Sequence, residues 1–494
     1  MSVSCRPISS GASGNLSPRT DAIELSIRAS VYGQSLTEEQ SHSMSLEEES
    51  PTVSNVSQLP PVDRGFGAWS FLCAAFMVET IAWSFSTAYG TLLYAYMEDP
   101  NFGSQPHATS LLALIGPIGS GIMYCLCPAL NPILYRYPRS ARPIVWIGTI
   151  LCFISLLCSS YATTVVQLVA LQGVLYSIGG TMVYVPTIFY MSQWFVEKRG
   201  IANGVMMAGT SLGGVLLPLV LPPLLARLGI PGTIRVFAGV TTAALLPFLP
   251  FVRGRLPETR SIVQGPGARG ARRRWYGEPA FLLLLAVNTL QAFGYFAPLL
   301  WLPTFASELD LSAFKSSVAL AVLNAGAAIG RISTGALADR LDPWALACGT
   351  LAATAIAAFV LWGVLAYTFA GLLVFAVVYG AFSGGWAALW TGLMRPIAQD
   401  DPTLSTTLFG WLLLTRGVGN IVSTPISTAL EAPRGSSVSN SSGGKTILDL
   451  GFDVAGGRFG RLIVYTGTCF AGAAVIVLAG WGVSVRTRRR ASEN

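Results

Sequence analysis

The chain is poor in charge and has almost no histidine for its length. Asp, Glu, Lys and Arg make up only 11% of its 494 residues, and there are two histidines. Soluble proteins carry roughly a quarter of their residues as charged side chains. Hydrophobic residues make up 52% of the chain, enough for roughly twelve membrane spans of about 20 residues each. The composition excludes a soluble enzyme, a disordered protein and a disulfide scaffold. It predicts an all-α protein that crosses the membrane many times.

The sequence also lacks the side chains that would hold a metal or a cofactor. The two histidines are His42 and His107, and Cys125 and Cys127 do not have the spacing of zinc ligands. No nucleotide-binding motif is present. The net charge of +7 comes from short basic runs between apolar segments, without interleaved aromatic residues. We therefore expect no metal, no cofactor and no nucleic acid partner.

Twelve apolar segments of spanning length follow one another from residue 67. Their approximate bounds are 67–94, 109–134, 143–162, 165–190, 201–225, 234–252, 281–304, 315–338, 344–365, 369–393, 404–430 and 462–484. A basic segment, 253–278, separates the sixth from the seventh and contains seven arginines. The pattern predicts twelve transmembrane helices in two six-helix halves, the layout of facilitator-type transporters.

The spans divide the chain into five regions. Residues 1–62 are rich in serine and acidic side chains, which favours a disordered cytosolic tail over a secretory signal or a matrix-targeting peptide. The N-terminal half covers 63–252 and the C-terminal half 279–484. The cytosolic linker 253–278 joins them, and a basic cytosolic tail, 485–494, follows.

The distribution of Lys and Arg predicts the orientation of the spans. If the N-terminus is cytosolic, the inner loops hold fourteen Lys and Arg residues, whereas the short outer loops 95–108, 163–164 and 366–368 hold none. The positive-inside rule then places both termini in the cytosol. The longer outer loop 431–461 contains Asn440 in a glycosylation sequon. We expect a plasma-membrane protein, with a vacuolar or other internal membrane as the alternative.

Three ionisable side chains lie deep in the predicted spans: Glu79 in span 1, Arg331 in span 8 and Arg416 in span 11. Each costs about 2.5–3.5 kcal/mol on membrane-insertion scales, so each requires a structural or functional reason. A central cavity that attracts an anion is one reason, because guanidinium groups bind carboxylates through two parallel hydrogen bonds. The alternative is structural: either arginine could bond backbone carbonyls or pair with Glu79.

Polar residues share the helix faces of these arginines or form stripes on other spans. Such residues could contact substrate, or they could form hydrogen bonds between helices. The candidates for substrate contact are Asn324 on the face of Arg331, Asn420 on the face of Arg416, Asn288, Gln291 and Tyr295 on span 7, and Tyr176 on span 4.

Two motifs carry a family resemblance. Residues 335–340, Gly-Ala-Leu-Ala-Asp-Arg, resemble the loop motif of the major facilitator superfamily. Residues 194–204, Trp-Phe-Val-Glu-Lys-Arg-Gly-Ile-Ala-Asn-Gly, resemble the second signature of its monocarboxylate transporter family, particularly the fungal members. Segments 173–180, 379–385 and 416–420 agree with that family too. The resemblance extends from residue 63 to about residue 484.

The resemblance implies a twelve-helix facilitator bundle that works by alternating access. Gly335, Asp339 and Arg340 would form a gating loop, in which the aspartate pairs with an arginine and contacts helix ends. Arg331 lies where the family places the arginine that holds the substrate carboxylate.

Three departures from the family pattern are present. The first signature is degraded, because residues 63–68, Asp-Arg-Gly-Phe-Gly-Ala, have arginine and alanine at its glycine and tryptophan positions. The other two departures affect the implied mechanism. Thr87 stands in place of the family's span 1 lysine, and Ala327 stands in place of the carboxylate four residues before the span 8 arginine. Lactate/proton symport is therefore not implied, and proton coupling, if it exists, is expected to run through Glu79.

The residues and the resemblance together predict a secondary transporter and no enzyme, because the spans contain no histidine and no paired carboxylates. The expected partners are a small organic solute, for which we expect a monocarboxylate-like anion, the lipid bilayer, and protons if transport is coupled to them. One alternative is an efflux transporter for a secondary metabolite. Another is a membrane sensor that keeps the facilitator fold without transport.

Overall fold

Helices account for every regular element in the described part of the computed structural model, which comprises residues 60–256, 275–398, 402–430 and 450–493. Ten of these helices are long and apolar enough to cross a membrane. One of the ten contains a break and forms two spans. A further helix of 29 residues, Pro402–Leu430, also has spanning length. Serine, threonine and Arg416 make it more polar than the others.

The prediction of twelve membrane helices is confirmed, and their bounds agree with the expected spans to within several residues. In chain order the helices are α1 (Gly65–Glu98), α2 (Ser110–Arg136), α3 (Pro138–Ser159), α4 (Val165–Trp194), α5 (199–228), α6 (230–245), α7 (Pro279–Glu308), α8 (Phe314–Ala338), α9 (Pro343–Leu365), α10 (Phe369–Ala398), α11 (Pro402–Leu430) and α12 (Gly460–Trp481).

The boundary between α5 and α6 differs from the expected loop. A single helical run extends over Arg199–Leu245, and only Gly229, with φ 66° and ψ 179°, leaves helical geometry. Glycine tolerates this left-handed conformation, and Pro231 supplies the fixed φ of a first helical turn. The expected sixth span to residue 252 therefore ends earlier, at Leu245, and a short 3₁₀ turn follows at Leu249–Phe251.

Several loops and chain ends meet on one side of the bundle, which we call the linker side. It contains residues 60–63, 193–201, 253–256 and Asp339, which are connected by hydrogen bonds. The rest of the linker, 257–274, lies outside the described residues, as do most of the expected tail and the sequon at Asn440.

The N-terminal and C-terminal sets of helices pack closely on the linker side. Helix α5 runs along α8, where Gly200 lies directly against Gly335. A Cβ atom on either glycine would overlap the other's backbone oxygen, so larger residues would force the two helices apart. Helix α2 packs along α11, where Asn131 Nδ2 donates to the carbonyl oxygen of Thr406 at 3.3 Å.

Helix α10 is interrupted in its middle. An α-helical part, Phe369–Gly384, is followed by a 3₁₀ segment, Gly385–Leu389, and by a second α-helical part, Trp390–Ala398. The 3₁₀ pattern changes which carbonyl oxygens are bonded inside the helix and leaves some for other donors. The interruption faces the two buried arginines described next.

Candidate functional site

Arg331 on α8 and Arg416 on α11 are both buried in the centre of the bundle, with 7% and 3% of their surfaces exposed. Neither guanidinium group has a carboxylate within 4.0 Å among the residues that the structure describes; the ion pair found there joins Arg458 and Glu308. A buried cation without a counter-ion is costly unless hydrogen bonds or a ligand compensate it. The contacts of the two arginines therefore define what the site can bind.

Arg331 donates hydrogen bonds mainly to backbone carbonyl oxygens, and one of these bonds crosses the interface between the two halves. Its Nη1 donates to the carbonyl oxygen of Met207 on α5. Its Nε donates to the carbonyl oxygen of Gly384, just before the 3₁₀ segment of α10, at 3.4 Å. Of the two structural alternatives considered from the sequence, the structure contains the hydrogen bonds from Arg331 to backbone carbonyls. The ion pair with Glu79 is not formed.

Arg416 is held in a different way, by one amide and a set of aromatic rings. Its Nη1 donates to Gln291 Oε1 at 3.0 Å. Its Cζ atom lies 4.4 Å from the ring centroid of Tyr295, 5.5 Å from that of Phe296 and 5.9 Å from that of Trp390. Cation–π contacts stabilise a charge and leave most of its N–H donors available for a ligand.

Tyr295 connects the two arginines. Its ring lies next to the guanidinium of Arg416, and its hydroxyl accepts a hydrogen bond from Arg331 Nη2 at 3.4 Å. The structure therefore brings together four of the predicted residues, Arg331, Arg416, Gln291 and Tyr295, in one cluster of side chains from α7, α8 and α11. This cluster is the candidate anion site.

Glu79 lies on α1, packed against α5, and only 2% of its surface is exposed. Its Oε1 accepts a hydrogen bond from the Thr210 hydroxyl at 2.7 Å, and its Oε2 has no hydrogen-bond partner among the described residues. Among the described residues, no cation lies within 4.0 Å of the Glu79 carboxyl group, so it forms an ion pair with neither arginine.

Three of the remaining predicted residues, Asn288, Asn420 and Tyr176, bond a neighbouring helix, whereas Asn324 bonds within its own helix. Asn288 donates to the Leu412 carbonyl and the Thr415 hydroxyl and accepts from Trp386 Nε1. Asn420 Nδ2 bonds Ser120 Oγ across the two halves. The other two bond backbone carbonyls: Asn324 that of Leu320, and Tyr176 that of Ile81.

The loop motif after α8 lies at the beginning of α5. Asp339 Oδ1 accepts from the backbone N–H of Gly200 at 2.8 Å, and Oδ2 accepts from that of Ile201 at 2.9 Å. The expected contact with a helix end is present, whereas the expected pairing with an arginine is not formed within the described chain. Gly335 forms the close crossing with Gly200, and Arg340 is exposed.

The two positions that depart from the family pattern have different surroundings. Thr87 Oγ1 donates to the Ser84 carbonyl within its own helix, at 2.9 Å. Ala327 lies against the backbone of Gly380 and Gly384 on α10, where a Cβ on Gly384 would already overlap the alanine. A carboxylate at position 327 would not fit this packing.

Sequence reasoning missed two asparagines that connect the halves. Asn203 Nδ2 donates to the Ala387 carbonyl in the 3₁₀ segment of α10 at 3.1 Å, and Asn131 bonds the Thr406 carbonyl. Both acceptors are backbone oxygens. Backbone acceptors have no sequence signal, so these contacts appear only once the helices are packed.

Comparison with known proteins identifies the family. A sequence profile described as Major Facilitator Superfamily matches residues 71–424, which is most of the chain. The chain belongs to the major facilitator superfamily. The resemblance seen in the loop motif and in the α5 signature is thereby confirmed.

Relatives of this facilitator are named as transporters. It is 30% identical over 247 residues to the fujikurins efflux protein of Gibberella fujikuroi, covering 49% of this chain and half of that protein. It is 26% identical over 399 residues to the MFS-type transporter hasB of Aspergillus fumigatus, covering 77% and 86%. Monocarboxylate transporter 10 of Mus musculus is 24% identical over 264 residues, half of each chain. A transporter, and not an enzyme, is what these relatives support.

A solved facilitator structure shares the fold. The proton:xylose symporter XylE bound to 6-bromo-6-deoxy-D-glucose superposes with a TM-score of 0.59 and 16% identity, covering 83% of this chain and 95% of that one. The likeness agrees with the twelve-helix architecture and with a multi-pass membrane protein.

Proposed function

We propose that this facilitator carries a monocarboxylate-like organic anion and binds it between Arg331 and Arg416. The observation that carries the proposal is the burial of two guanidinium groups around Tyr295, with no carboxylate within 4.0 Å of either among the described residues. An anion from solution would supply the missing negative charge. Planar carboxylates suit this site because guanidinium groups bind them through two hydrogen bonds.

Alternating access provides the route to this site. Both arginines are buried and Arg331 bonds the Met207 carbonyl on α5, so the two halves must separate before a solute reaches them. The proposed moving units are residues 63–252 and 279–484. Asp339 would act as a latch, because it closes the linker side by holding the beginning of α5. We place the linker side in the cytosol, on the positive-inside argument, and the protein in the plasma membrane.

Glu79 is the proposed proton site. It is buried, one of its oxygens has no hydrogen-bond partner among the described residues, and no cation lies within ion-pair distance. Isolated carboxyl groups within membrane helices commonly take up and release protons in transport cycles. Thr210 orients the carboxyl group from α5, the helix whose first turn the Asp339 latch holds. Protonation of Glu79 would therefore change its hydrogen bond with Thr210 on α5, the helix that has to move.

The test of the proposed function is uptake by proteoliposomes. Labelled mono- and dicarboxylates would be compared with their uncharged amides, with and without an inward proton gradient. We expect accumulation of at least one acid but not of its amide, and we expect Arg331→Ala to abolish it. Arg458→Ala is the matched control, because Arg458 is paired with Glu308 at the last residue of α7 and is not a member of the cluster. Equal transport of acid and amide would refute the anion site.

The role of Glu79 is tested by Glu79→Gln, which keeps the size of the side chain and its contact with Thr210. We expect the variant to lose accumulation driven by a proton gradient while it still exchanges internal for external substrate, since exchange needs no net proton movement. Thr210→Val serves as the control for the loss of the hydrogen bond alone. Unchanged gradient-driven uptake in Glu79→Gln would remove Glu79 from the coupling mechanism.

Efflux of a larger secondary metabolite is the second candidate. Two observations favour it: Ala327 fills the place of a carboxylate in the lactate-type pattern, and a relative is named as the fujikurins efflux protein. Substrate uptake measured in inside-out vesicles distinguishes efflux of a metabolite from import of an anion. Concentrative uptake into inside-out vesicles only would establish export.

A further inference from the structure

The beginning of α5 is held by two carboxylates that come from different halves of the protein. Asp339 of the C-terminal half accepts the backbone N–H groups of Gly200 and Ile201. Asp63, just before α1 in the N-terminal half, accepts those of Val196, Glu197 and Lys198, the residues directly before the helix. Five of six consecutive N–H groups, 196–198 and 200–201, thus point at one carboxylate or the other.

Both carboxylate oxygens of Asp63 accept hydrogen bonds from the backbone of residues 196–198. Its side chain is only 6% exposed, and its Oδ1 lies 3.1 Å from the nitrogen of Val196 and 3.0 Å from that of Lys198. Its Oδ2 lies 3.1 Å from the nitrogen of Glu197. Its own N–H donates to the Trp194 carbonyl at 3.0 Å. Its φ of 58° is left-handed, a conformation that Asp adopts more readily than most residues.

The first turn of α5 needs an external partner. The residue before the helix, Lys198, has φ −96° and makes no side-chain cap. The first N–H groups of a helix have no partner inside it, and they carry a partial positive charge. Asp339 fills this role from the other half, so the closed linker side depends on how well the N–H groups of Gly200 and Ile201 are aimed at it.

Other contacts of the same segment anchor it to the N-terminal half. Trp194 Nε1 donates to the Arg253 carbonyl at 2.8 Å, and Gln193 Oε1 accepts from the N–H of Arg255 at 3.1 Å. These bonds hold the residues before 195. Asp63 is the group that continues this anchorage through 196–198, up to the first residue of α5.

We propose that Asp63 is a positioning residue for transport: it fixes residues 196–198 so that the first turn of α5 meets Asp339 and the linker side closes. The inference rests on the proposed latch function of Asp339. Because Asp63 and its partners belong to the same half, their bonds persist when the halves separate. Residues 196–198 then keep the same conformation throughout the transport cycle. Each closure of the linker side therefore avoids the entropic cost of ordering these residues again.

The experiment measures the distance between the halves on the linker side. Spin labels would be placed on Arg139→Cys and Leu341→Cys, two exposed positions, in the full-length protein without its native cysteines. Distance distributions give the populations of closed and open linker side. We expect Asp63→Ala to raise the open-to-closed ratio about fivefold or more, in the direction of Asp339→Asn. Asp63→Asn keeps one acceptor oxygen and should give an intermediate ratio.

The double variant distinguishes positioning from an independent effect. If Asp63 acts through Asp339, then Asp63→Ala combined with Asp339→Asn has the same ratio as Asp339→Asn alone. Full addition of the two effects, or an unchanged ratio in Asp63→Ala and Asp63→Asn, would overturn the inference. An unchanged ratio in Asp339→Asn would overturn the latch itself, a separate result.

Asp342→Ala is the matched control. Asp342 caps α9 on the linker side through the N–H groups of Trp344 and Ala345, without contact to α5. It should leave the ratio unchanged.

Discussion

Arg331 and Arg416 are both buried arginines in the centre of the bundle, yet their surroundings differ. Arg331 bonds the carbonyl oxygens of Met207 and Gly384, which belong to different halves, so its guanidinium is part of the interface that must open. Arg416 lies among the rings of Tyr295, Phe296 and Trp390 of its own half, and the side chain of Tyr124 from the other half also interacts with it. Under the proposed function the two arginines would have different roles: Arg416 would bind the anion, and Arg331 would both bind it and respond to the closure of the halves.

The largest effect is expected for Arg331→Lys. A lysine keeps the charge, but its single ammonium group cannot reach the carbonyls of Met207 and Gly384 and the hydroxyl of Tyr295 together. Leaving buried acceptors without donors costs about 2 kcal/mol, or about thirtyfold in transport rate. Initial rates of anion uptake would show a lower maximal rate together with a raised KM.

Arg458→Lys provides the control for this exchange, because its partner Glu308 can pair with either cation. Near-normal transport by Arg331→Lys would show that charge alone matters at this position, and the comparison with Arg416 would lose its basis.

A smaller effect, on binding only, is expected for Arg416→Lys. Lysine loses the planar contact with the ring of Tyr295 and the fixed bond to Gln291, so the KM for the anion should rise about tenfold. The maximal rate should change little, because Arg416 makes none of the hydrogen bonds of Arg331 to the backbone carbonyls of Met207 and Gly384. Arg235→Lys is the control, since Arg235 stacks on Tyr161 at the same 4.4 Å outside the cluster.

The smallest effect is expected for Tyr295→Phe. This change distinguishes the contact of the ring with Arg416 from the hydrogen bond of the hydroxyl with Arg331. The ring next to Arg416 remains, and the hydroxyl that accepts from Arg331 is removed. That bond is long, at 3.4 Å, so its loss should lower the rate only about threefold. Tyr276→Phe at an exposed position controls for the substitution. A tenfold rise in KM instead would place the hydroxyl in contact with the anion.

The sequence predicted the central residues better than their contacts. Arg331, Arg416 and Glu79 stand out because charged side chains are rare in membrane helices, and Gln291 and Tyr295 follow from helical spacing on one face. Their partners were harder to predict, because Met207, Gly384 and Ala387 contribute only backbone oxygens. Asn131 was missed as a functional candidate for a related reason: a polar residue near a helix end has no periodic pattern to mark it. Asp63 was recognised only as the first residue of a degraded family signature, without a partner.

The twelve helices, their approximate bounds and the family were determined by the sequence alone. Long apolar segments have to form helices in a bilayer, since every backbone polar group needs a partner inside the span. Only the tertiary structure decided which side chains meet. It turned Arg331 toward backbone carbonyls rather than Glu79, placed Asp339 on the first turn of α5 and set Asp63 before it. These contacts join residues more than 50 positions apart, and only the packing of α5 against α1, α8 and α10 brings such residues within hydrogen-bonding distance.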